Sequence, residues 1–277
     1  MSDSVPPSSG PSTADAAPVL LEIVDGVATV TLNRAGAMNS LDVATKVALR
    51  DAVHQVAEDP AVRCVVLAGT GRAFCVGQDL KEHVELLADG GSDALFTTVP
   101  EHYNRIVTAL ATMPKPVIAA VNGVAAGAGA SLAFACDFRL LADTAGFNLA
   151  FAGIALSCDT GASWTLPRLV GRAKAIELLY EPRTIPAAEA LELGLASKVV
   201  PAGELAAEAA TMAARLSAGP TLAYGAIRRS VAFSAGHGFE ESVAFESDMM
   251  TLTGSTEDHR NAVASFVAKQ RPTFEGR

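Results

Sequence analysis

The chain opens on two short apolar runs, VLLEIV and VATVTL, within Val19–Leu32. They are separated by Asp25-Gly26, and an Asp-Gly pair between apolar runs is a strong signal for a β-hairpin. Helical spacing follows over Asn39–Asp59, where Ser40 or Asp42 could cap the start. The apolar face of this helix is predicted at Val43, Val47, Val53 and Val56.

Strands and helices then alternate through the middle of the chain. Arg63–Ala68, Pro116–Val121 and Phe138–Ala142 are short apolar runs that predict buried strands, and Glu101–Met113 is predicted as a helix. Such alternation indicates an α/β fold.

The pattern changes after Pro201, where every remaining apolar repeat is helical. Four helices are predicted, at Glu204–Leu216, Pro220–Ser234, Phe239–Leu252 and Glu257–Lys269. We therefore predict a core over 18–205 and a helical C-terminal region over 206–277. Residues 1–17, rich in Ser, Pro and Ala, are predicted to be a disordered tail without the features of a secretory signal.

Composition narrows the class of partner. Of the 277 residues 50% are apolar, and the formal net charge is −9. An acidic protein does not attract a nucleic-acid backbone, so no nucleic-acid partner is expected. The apolar run Pro116–Phe138 is too rich in Gly and Ala for a membrane span, so no membrane partner is expected either. The spacing of the four cysteines predicts reduced, mostly buried thiols in a cytoplasmic protein, with no metal site.

Common catalytic motifs are missing from the sequence. It has no GxSxG nucleophile elbow and no P-loop. Gly127-Ala128-Gly129 is not a dinucleotide-binding turn, because Leu132 stands where the third glycine belongs. The histidines lie in polar stretches and are predicted to be solvated surface residues: His54, His83, His102, His237 and His259.

Two glycine-marked segments follow buried strands and lead into helices, Gly71–Leu80 and Val121–Ala133. Small residues let a ligand approach the backbone, and a helix N-terminus presents free N–H donors. Two such segments could converge on one carbonyl oxygen as an oxyanion hole. Alternatively, the glycines only serve tight turns.

Six segments in order resemble the signatures of the crotonase (enoyl-CoA hydratase/isomerase) superfamily over about Val19–Arg277. They are Thr31–Arg34 with Asn39–Leu41, Ala73–Leu80, Lys115–Gly123, Cys136-Asp137, Trp164–Gly171 and Ala190–Leu195. The resemblance implies a spiral of ββα repeats with a C-terminal helical trimerisation region, and an acyl-CoA substrate. No cofactor is expected, since CoA is part of the substrate, and the assembly is expected to be a homotrimer or a dimer of trimers.

The same resemblance implies where the site lies. The backbone N–H groups of Gln78 and Ala128 would bind the thioester oxygen, and the side chains at these two positions would matter little. Asp79 fits a helix cap better than an acid catalyst. For Phe266 and Lys269, ordinary packing and a solvated charge remain the alternatives to CoA contacts. The residues expected to contact CoA are Arg34, Ala35, Ala37, Met38, Val76, Gln78, Asp79, Leu80, Lys81, Phe266 and Lys269, with Arg34 and Lys81 nearest the phosphates.

One departure from the family pattern bears on the reaction. The two glutamates that activate water in hydratases correspond here to Ser131 and Phe151, neither of which is an acid or base. Asp159 instead occupies the position of the acid in family members that shift double bonds in acyl-CoAs. A single carboxylate in an apolar pocket could carry a proton from one carbon to another, or Asp159 could simply cap the helix that begins near Gly161.

Three functional readings therefore remain open. The first is an acyl-CoA isomerase with Asp159 as proton shuttle. The second is an atypical hydratase that uses another acid, such as Glu82 or Glu85, and the third is a homologue that binds acyl-CoA without turning it over. An RNA-binding role is disfavoured by the acidic charge balance.

Overall fold

A computed structural model describes residues 17–88 and 96–277, so nearly all of the predicted disordered tail lies outside the described residues. The predicted hairpin is confirmed: β1 (Val19–Val24) and β2 (Val27–Leu32) pair antiparallel. Asp25 and Gly26 turn the chain with φ of 50° and 77°. Two successive left-handed residues match the right-handed twist of the strands, which explains the Asp-Gly pair.

Helix α1 (Val43–Glu58) is capped by Asp42, whose Oδ1 accepts a 2.8 Å hydrogen bond from the Thr45 amide. The predicted apolar face is wrong in the first turn, because Val43 is 46% exposed while Lys46 is buried. The helix is rotated so that Lys46 faces inward, where its ammonium pairs with Glu82 at 3.1 Å.

Six strands form the larger sheet, in the order β1-β2-β3-β5-β7-β10, with β3 at Cys64–Gly69, β5 at Val117–Val121, β7 at Phe138–Ala142 and β10 at Lys198–Val200. The three buried strands predicted from apolar runs are confirmed as β3, β5 and β7. From β2 onward the pairing is parallel. All residues of β5 are buried, which is typical of a parallel sheet covered on both faces.

A second sheet of four short strands runs in the order β4-β6-β8-β9, with β4 at Ala73–Cys75, β6 at Val124–Ala126, β8 at Gly146–Asn148 and β9 at Thr184–Pro186. Strand pairs β3/β4, β5/β6 and β7/β8 each place one strand in each sheet before a helix follows. This arrangement confirms the expected spiral of ββα repeats, and its turns place the ends of successive repeats side by side.

Helices follow the strands of each repeat. They are α2 (Leu80–Ala88), α3 (Asn104–Thr112), α4 (Ala128–Phe134), α5 (Ala162–Val170), α6 (Arg172–Tyr180) and α7 (Ala187–Glu192). The predicted helix at Glu101–Met113 is confirmed as α3, which is preceded by a π-helical turn over Val99–Tyr103.

The four predicted C-terminal helices are confirmed as α8 (Leu205–Ser217), α9 (Thr221–Ser234), α10 (Phe239–Gly254) and α11 (Glu257–Val267). Helix α8 lies on the larger sheet and contacts β3, β5 and β7. Helix α10, by contrast, has no buried residue. The division into units at 205/206 stays a prediction.

The C-terminal residues are hydrogen-bonded to the rest of the protein. Asp258 accepts hydrogen bonds from the amides of Glu275 at 2.7 Å and Gly276 at 2.9 Å. Arg63, from the start of β3, donates to the Phe274 carbonyl at 3.0 Å. These hydrogen bonds connect the C-terminal segment both to α11 and to the residue beside β3.

Buried titratable groups test two further expectations. Cys64, Cys75 and Cys136 are buried as predicted and Cys158 is half-buried, and burial raises the pKa of the three buried thiols to about 12. The prediction of solvated histidines is wrong for His102, which is buried because the π-helical turn directs it inward.

Within residues 17–88 and 96–277, no helix is long and apolar enough to cross a membrane.

Candidate active site

The two predicted oxyanion donors lie together where two turns of the spiral meet. Strands β4 and β6 pair in parallel, and Gln78 and Ala128 follow them. A Cβ added to Gly77, the residue before Gln78, would stand 3.3 Å from the Ala128 nitrogen. Among the described residues, neither the Gln78 N–H nor the Ala128 N–H has a hydrogen-bond acceptor. Two free amides side by side are the arrangement that an oxyanion hole requires.

Glycines make this close approach possible. Gly77 has a φ of 82°, which favours glycine, and a Cβ there would also lie 2.9 Å from the Ala126 carbonyl oxygen. In the first turn of α4, a Cβ on Gly129 would be only 2.1 Å from the Cys75 carbonyl oxygen. A side chain at either position would therefore push the two segments apart.

Asp159 lies just before α5, and its carboxylate does not cap that helix. Gly161 is the N-cap and no side chain bonds to the first turn, while only the main-chain oxygen of Asp159 accepts from Ala162, at 2.9 Å. Burial raises the pKa of the Asp159 carboxyl, although a 2.8 Å hydrogen bond from Thr160 Oγ1 opposes the rise. The helix-cap alternative is therefore wrong.

Tyr103 lies beside Gln78, one of the two predicted oxyanion donors, and sequence reasoning missed it. Its hydroxyl donates a 2.6 Å hydrogen bond to Gln78 Oε1. Burial, together with the charge of Asp159, raises the pKa of Tyr103 well above its ordinary value. Asp159 is therefore close enough for its charge to act on Tyr103, which is itself hydrogen-bonded to Gln78. A tyrosine in a helical stretch carries no pattern that marks it as functional.

Lys46 was also missed, although a signal existed. It stands at helical spacing with Leu49, Val53 and Val56, all buried, so a lysine on that face needed a partner. Lys46 Nζ lies 3.1 Å from Glu82 Oε1 and 3.2 Å from Gln78 Oε1.

The positions of the hydratase glutamates hold no acid. Ser131 is buried in α4, and its hydroxyl donates to the Gly127 carbonyl at 3.0 Å. Phe151 is also buried. Two other glutamates are the alternative acids. The Glu82 carboxylate already accepts hydrogen bonds from Lys46 Nζ and, at 2.8 Å, from the Val43 amide, and Glu85 is exposed.

Asp79 caps α2, as predicted: its Oδ1 accepts from the Lys81 amide at 3.0 Å. Its Oδ2 accepts from Ser40 Oγ at 2.8 Å and from Arg34 Nη1 at 3.1 Å. Burial acts to raise the pKa of Asp79, but these hydrogen bonds outweigh it and hold the pKa below its ordinary value. Arg34 also pairs with Asp42 at 3.0 Å, so its charge is already balanced by two carboxylates.

The two segments expected to bind CoA are neighbours. The Leu41 amide donates to the Gly77 carbonyl at 2.8 Å, and the Asp79 amide donates to the Leu41 carbonyl at 3.2 Å. The side chains beside these contacts are exposed at Ala35, Leu80 and Lys81 and half-buried at Ala37, Met38, Val76 and Gln78. Phe266 is 83% exposed at the end of α11, close in sequence to the exposed Lys269. No contact within the described chain brings Phe266 to the site.

Comparisons with known proteins identify the family of the chain. A family model described as enoyl-CoA hydratase/isomerase matches residues 22–277. The 1,2-epoxyphenylacetyl-CoA isomerase of Escherichia coli K12 is 38% identical over 94% of this chain and 98% of its own. The crotonyl-CoA hydratase of Syntrophomonas wolfei is 34% identical over 92% and 97%.

Solved structures of proteins similar in sequence have the same fold. An enoyl-CoA hydratase from Bacillus anthracis superposes with a TM-score of 0.88 at 30% identity, covering 94% of this chain and all of that one. The fold, the paired amides and these similarities define a crotonase-superfamily protein. More narrowly, the chain belongs to the enoyl-CoA hydratase/isomerase family, whose similar members include both isomerases and hydratases.

Proposed function

We propose that the protein moves a carbon–carbon double bond within an acyl-CoA thioester, with Asp159 as the proton carrier. The observation that carries the proposal is a part-buried carboxylate with a raised pKa that caps no helix. Its charge acts on Tyr103, the residue that is hydrogen-bonded to Gln78, while the hydratase positions hold Ser131 and Phe151.

The chemistry needs one base and one oxyanion site. Ionised Asp159 takes a proton from C2 of a 3-enoyl thioester, and the electron pair moves onto the thioester oxygen as a dienolate. The Gln78 and Ala128 amides stabilise that negative charge. Protonated Asp159 then returns the proton to C4, which leaves the double bond between C2 and C3. Atoms and charge balance without a metal or redox cofactor.

Hydration is supported less well. Syn addition of water requires a group to deprotonate water and a group to protonate carbon. Glu82 is held by Lys46 and by the Val43 amide, and Glu85 is exposed on α2. Neither glutamate supplies a second acid beside Asp159.

Contacts to CoA are part of the proposal. Lys81 is exposed and, among the described residues, its ammonium has no carboxylate partner. We therefore propose that Lys81, rather than Arg34, contacts the CoA phosphates. Phe266 and Lys269 are exposed on the C-terminal helical region, and we assign them to the CoA of an assembled oligomer.

Reduced, buried thiols support a cytoplasmic location.

The test is Asp159→Asn, assayed for double-bond migration and for hydration with a panel of acyl-CoAs. We expect kcat for migration to fall about 10²-fold or more, because positioned general acid–base groups contribute about 10²–10⁴-fold. Acyl-CoA affinity should be unchanged, since the amides are untouched. Ser131→Ala is the matched control and should keep most activity.

Two outcomes would contradict the proposal. Efficient hydration of crotonyl-CoA by both wild type and Asp159→Asn would identify an atypical hydratase. Tight acyl-CoA binding with no turnover of any panel member would identify a non-catalytic binder. A thermal melt of each variant separates loss of function from loss of fold.

A further inference from the structure

A polar cluster surrounds the Gln78 side chain, with two members that are buried, Lys46 and Tyr103, and two that are half-buried, Gln78 and Glu82. It consists of Lys46, Gln78, Glu82 and Tyr103, which come from α1, the segment after β4, α2 and the π-helical turn. The Lys46 side chain is only 1% exposed, and its Nζ lies 5.7 Å from the centre of the Tyr103 ring. A buried ammonium is costly unless it is paired and hydrogen-bonded, so Lys46 must be satisfied within this cluster.

The cluster fixes the orientation of the Gln78 side-chain amide. Gln78 Oε1 accepts from the Tyr103 hydroxyl at 2.6 Å and from Lys46 Nζ at 3.2 Å. Gln78 Nε2 donates to Glu82 Oε1 at 3.2 Å. Turning the amide over would set its N–H₂ against the Lys46 ammonium, which can only donate, and its oxygen against the Glu82 carboxylate. Only one orientation is therefore compatible with these partners.

That side chain and the main-chain nitrogen of Gln78, whose N–H is a donor of the proposed oxyanion hole, are attached to the same Cα. An oxyanion donor is effective when it is held in place before the reaction, and residues that lock its geometry contribute without touching substrate. Main-chain hydrogen bonds to Leu41 hold Gly77 and Asp79 on either side, and the fixed side-chain amide adds a restraint at Gln78 itself. The expectation that the side chain at 78 matters little is not supported by this arrangement.

We propose that Tyr103 is a positioning residue: through its hydrogen bond to Gln78 Oε1, it holds the Gln78 N–H aimed at the thioester oxygen. This inference rests on the oxyanion hole of the proposed function. Tyr103 suits the role because burial keeps its phenol protonated and hence a donor. It also bonds to a neutral amide, so it can restrain Gln78 without adding charge to the site.

The first experiment is Tyr103→Phe, which removes the hydroxyl and keeps the ring. We expect kcat to fall about 10-fold, less than the 10²–10³-fold cost of losing an oxyanion donor outright, while KM changes less than about twofold. Infrared difference spectra of bound hexanoyl-CoA, which is saturated, report the thioester carbonyl directly. In Tyr103→Phe its stretching frequency should move back toward the value in water.

The second experiment asks whether Tyr103 acts through Gln78. Gln78→Met keeps the main-chain N–H and the side-chain length but removes the amide, so it should reproduce both effects. The double variant should be no worse than the more impaired single variant, because two residues that act through one contact are not additive. Tyr224→Phe, which removes the hydroxyl of a half-buried tyrosine on α9, should leave kcat and the carbonyl frequency unchanged.

The outcomes separate this inference from the proposed function. An unchanged carbonyl frequency in both Tyr103→Phe and Gln78→Met, or losses in kcat that multiply in the double variant, would overturn the positioning role. If bound hexanoyl-CoA shows no carbonyl shift in the wild type, the oxyanion hole itself is absent and the proposed function fails. The spectra need no turnover, so they also apply if the reaction is hydration.

Discussion

Thr160 donates a 2.8 Å hydrogen bond from its hydroxyl to Oδ1 of Asp159. The bond stabilises the charged carboxylate and so opposes the burial that raises the pKa of Asp159. Thr160 is 1% exposed and has a φ of 50°, so its hydroxyl is held in place. This contact adjusts the pH at which Asp159 can accept a proton.

Thr160→Val should therefore raise the pKa of Asp159 further. Asp159 must be ionised to take the proton, so activity is lost as pH falls through its pKa, and the acid limb of kcat/KM should move to higher pH. A pH–rate profile measures the shift. Thr160→Ser keeps the hydroxyl and should keep the limb in place; an identical limb in Thr160→Val would show that Asp159 does not control it.

Gly77→Ala should separate the two amides of the oxyanion hole. The added Cβ would stand 2.9 Å from the Ala126 oxygen and 3.3 Å from the Ala128 nitrogen, both main-chain atoms that cannot move aside easily. We expect kcat to fall at least about 10²-fold, which is the cost of losing one oxyanion donor. Steady-state kinetics with the best acyl-CoA of the panel provide the measurement.

The control for this variant is Gly194→Ala. Gly194 also has a positive φ, 76°, but a Cβ there meets only the Leu169 oxygen at 3.7 Å. Both variants should lose about 1–2 kcal/mol of stability from the left-handed backbone, and only Gly77→Ala should lose activity. Equal activity in the two variants would mean that Gly77 serves only the turn.

The exposed helices at the C-terminus predict an oligomer. Helix α10 has no buried residue, and apolar side chains on α9–α11 are largely exposed, among them Val231, Phe239, Met250 and Val267. Such a surface is typical of a protein–protein interface. We expect a trimer or a dimer of trimers by light scattering at micromolar concentration.

Met250→Glu tests that interface, because Met250 is 72% exposed in the single chain and a buried, unpaired carboxylate would weaken association. The variant should shift toward monomer. Leu191→Glu, on α7 and 45% exposed, adds the same charge elsewhere and should not. A wild-type protein that is monomeric at these concentrations would contradict the prediction.

Long apolar runs predicted the larger sheet well. Strand β7 has the bounds expected from its pattern, and the Asp25-Gly26 turn was visible as a pair of residues that tolerate a left-handed backbone. The strands of the smaller sheet are three residues long, too short to show a period. They became predictable only through the resemblance, because their pairing is set by contacts between successive repeats.

The residues of the proposed site also fall into two groups, those that a sequence motif indicates and those that it does not. Gln78, Ala128 and Asp159 are assigned to the proposed site because each lies at a fixed place in a family motif, whereas Tyr103 reaches Gln78 across 25 residues of sequence. Lys46 lies 36 residues from Glu82. No local pattern pairs such residues, since their contact depends on how α1, α2 and the π-helical turn pack.

The proposed oxyanion hole consists of main-chain amides, and this determines which substitutions it can tolerate. Every residue except proline supplies a main-chain N–H, so substitutions at 78 and 128 keep a donor, although at 78 the contacts to Tyr103 and Lys46 that position it would be lost. Acids can then be gained or lost at 131, 151 and 159 without dismantling the part that stabilises the enolate. The same main-chain donors are therefore compatible with more than one reaction, depending on where carboxylates stand around them.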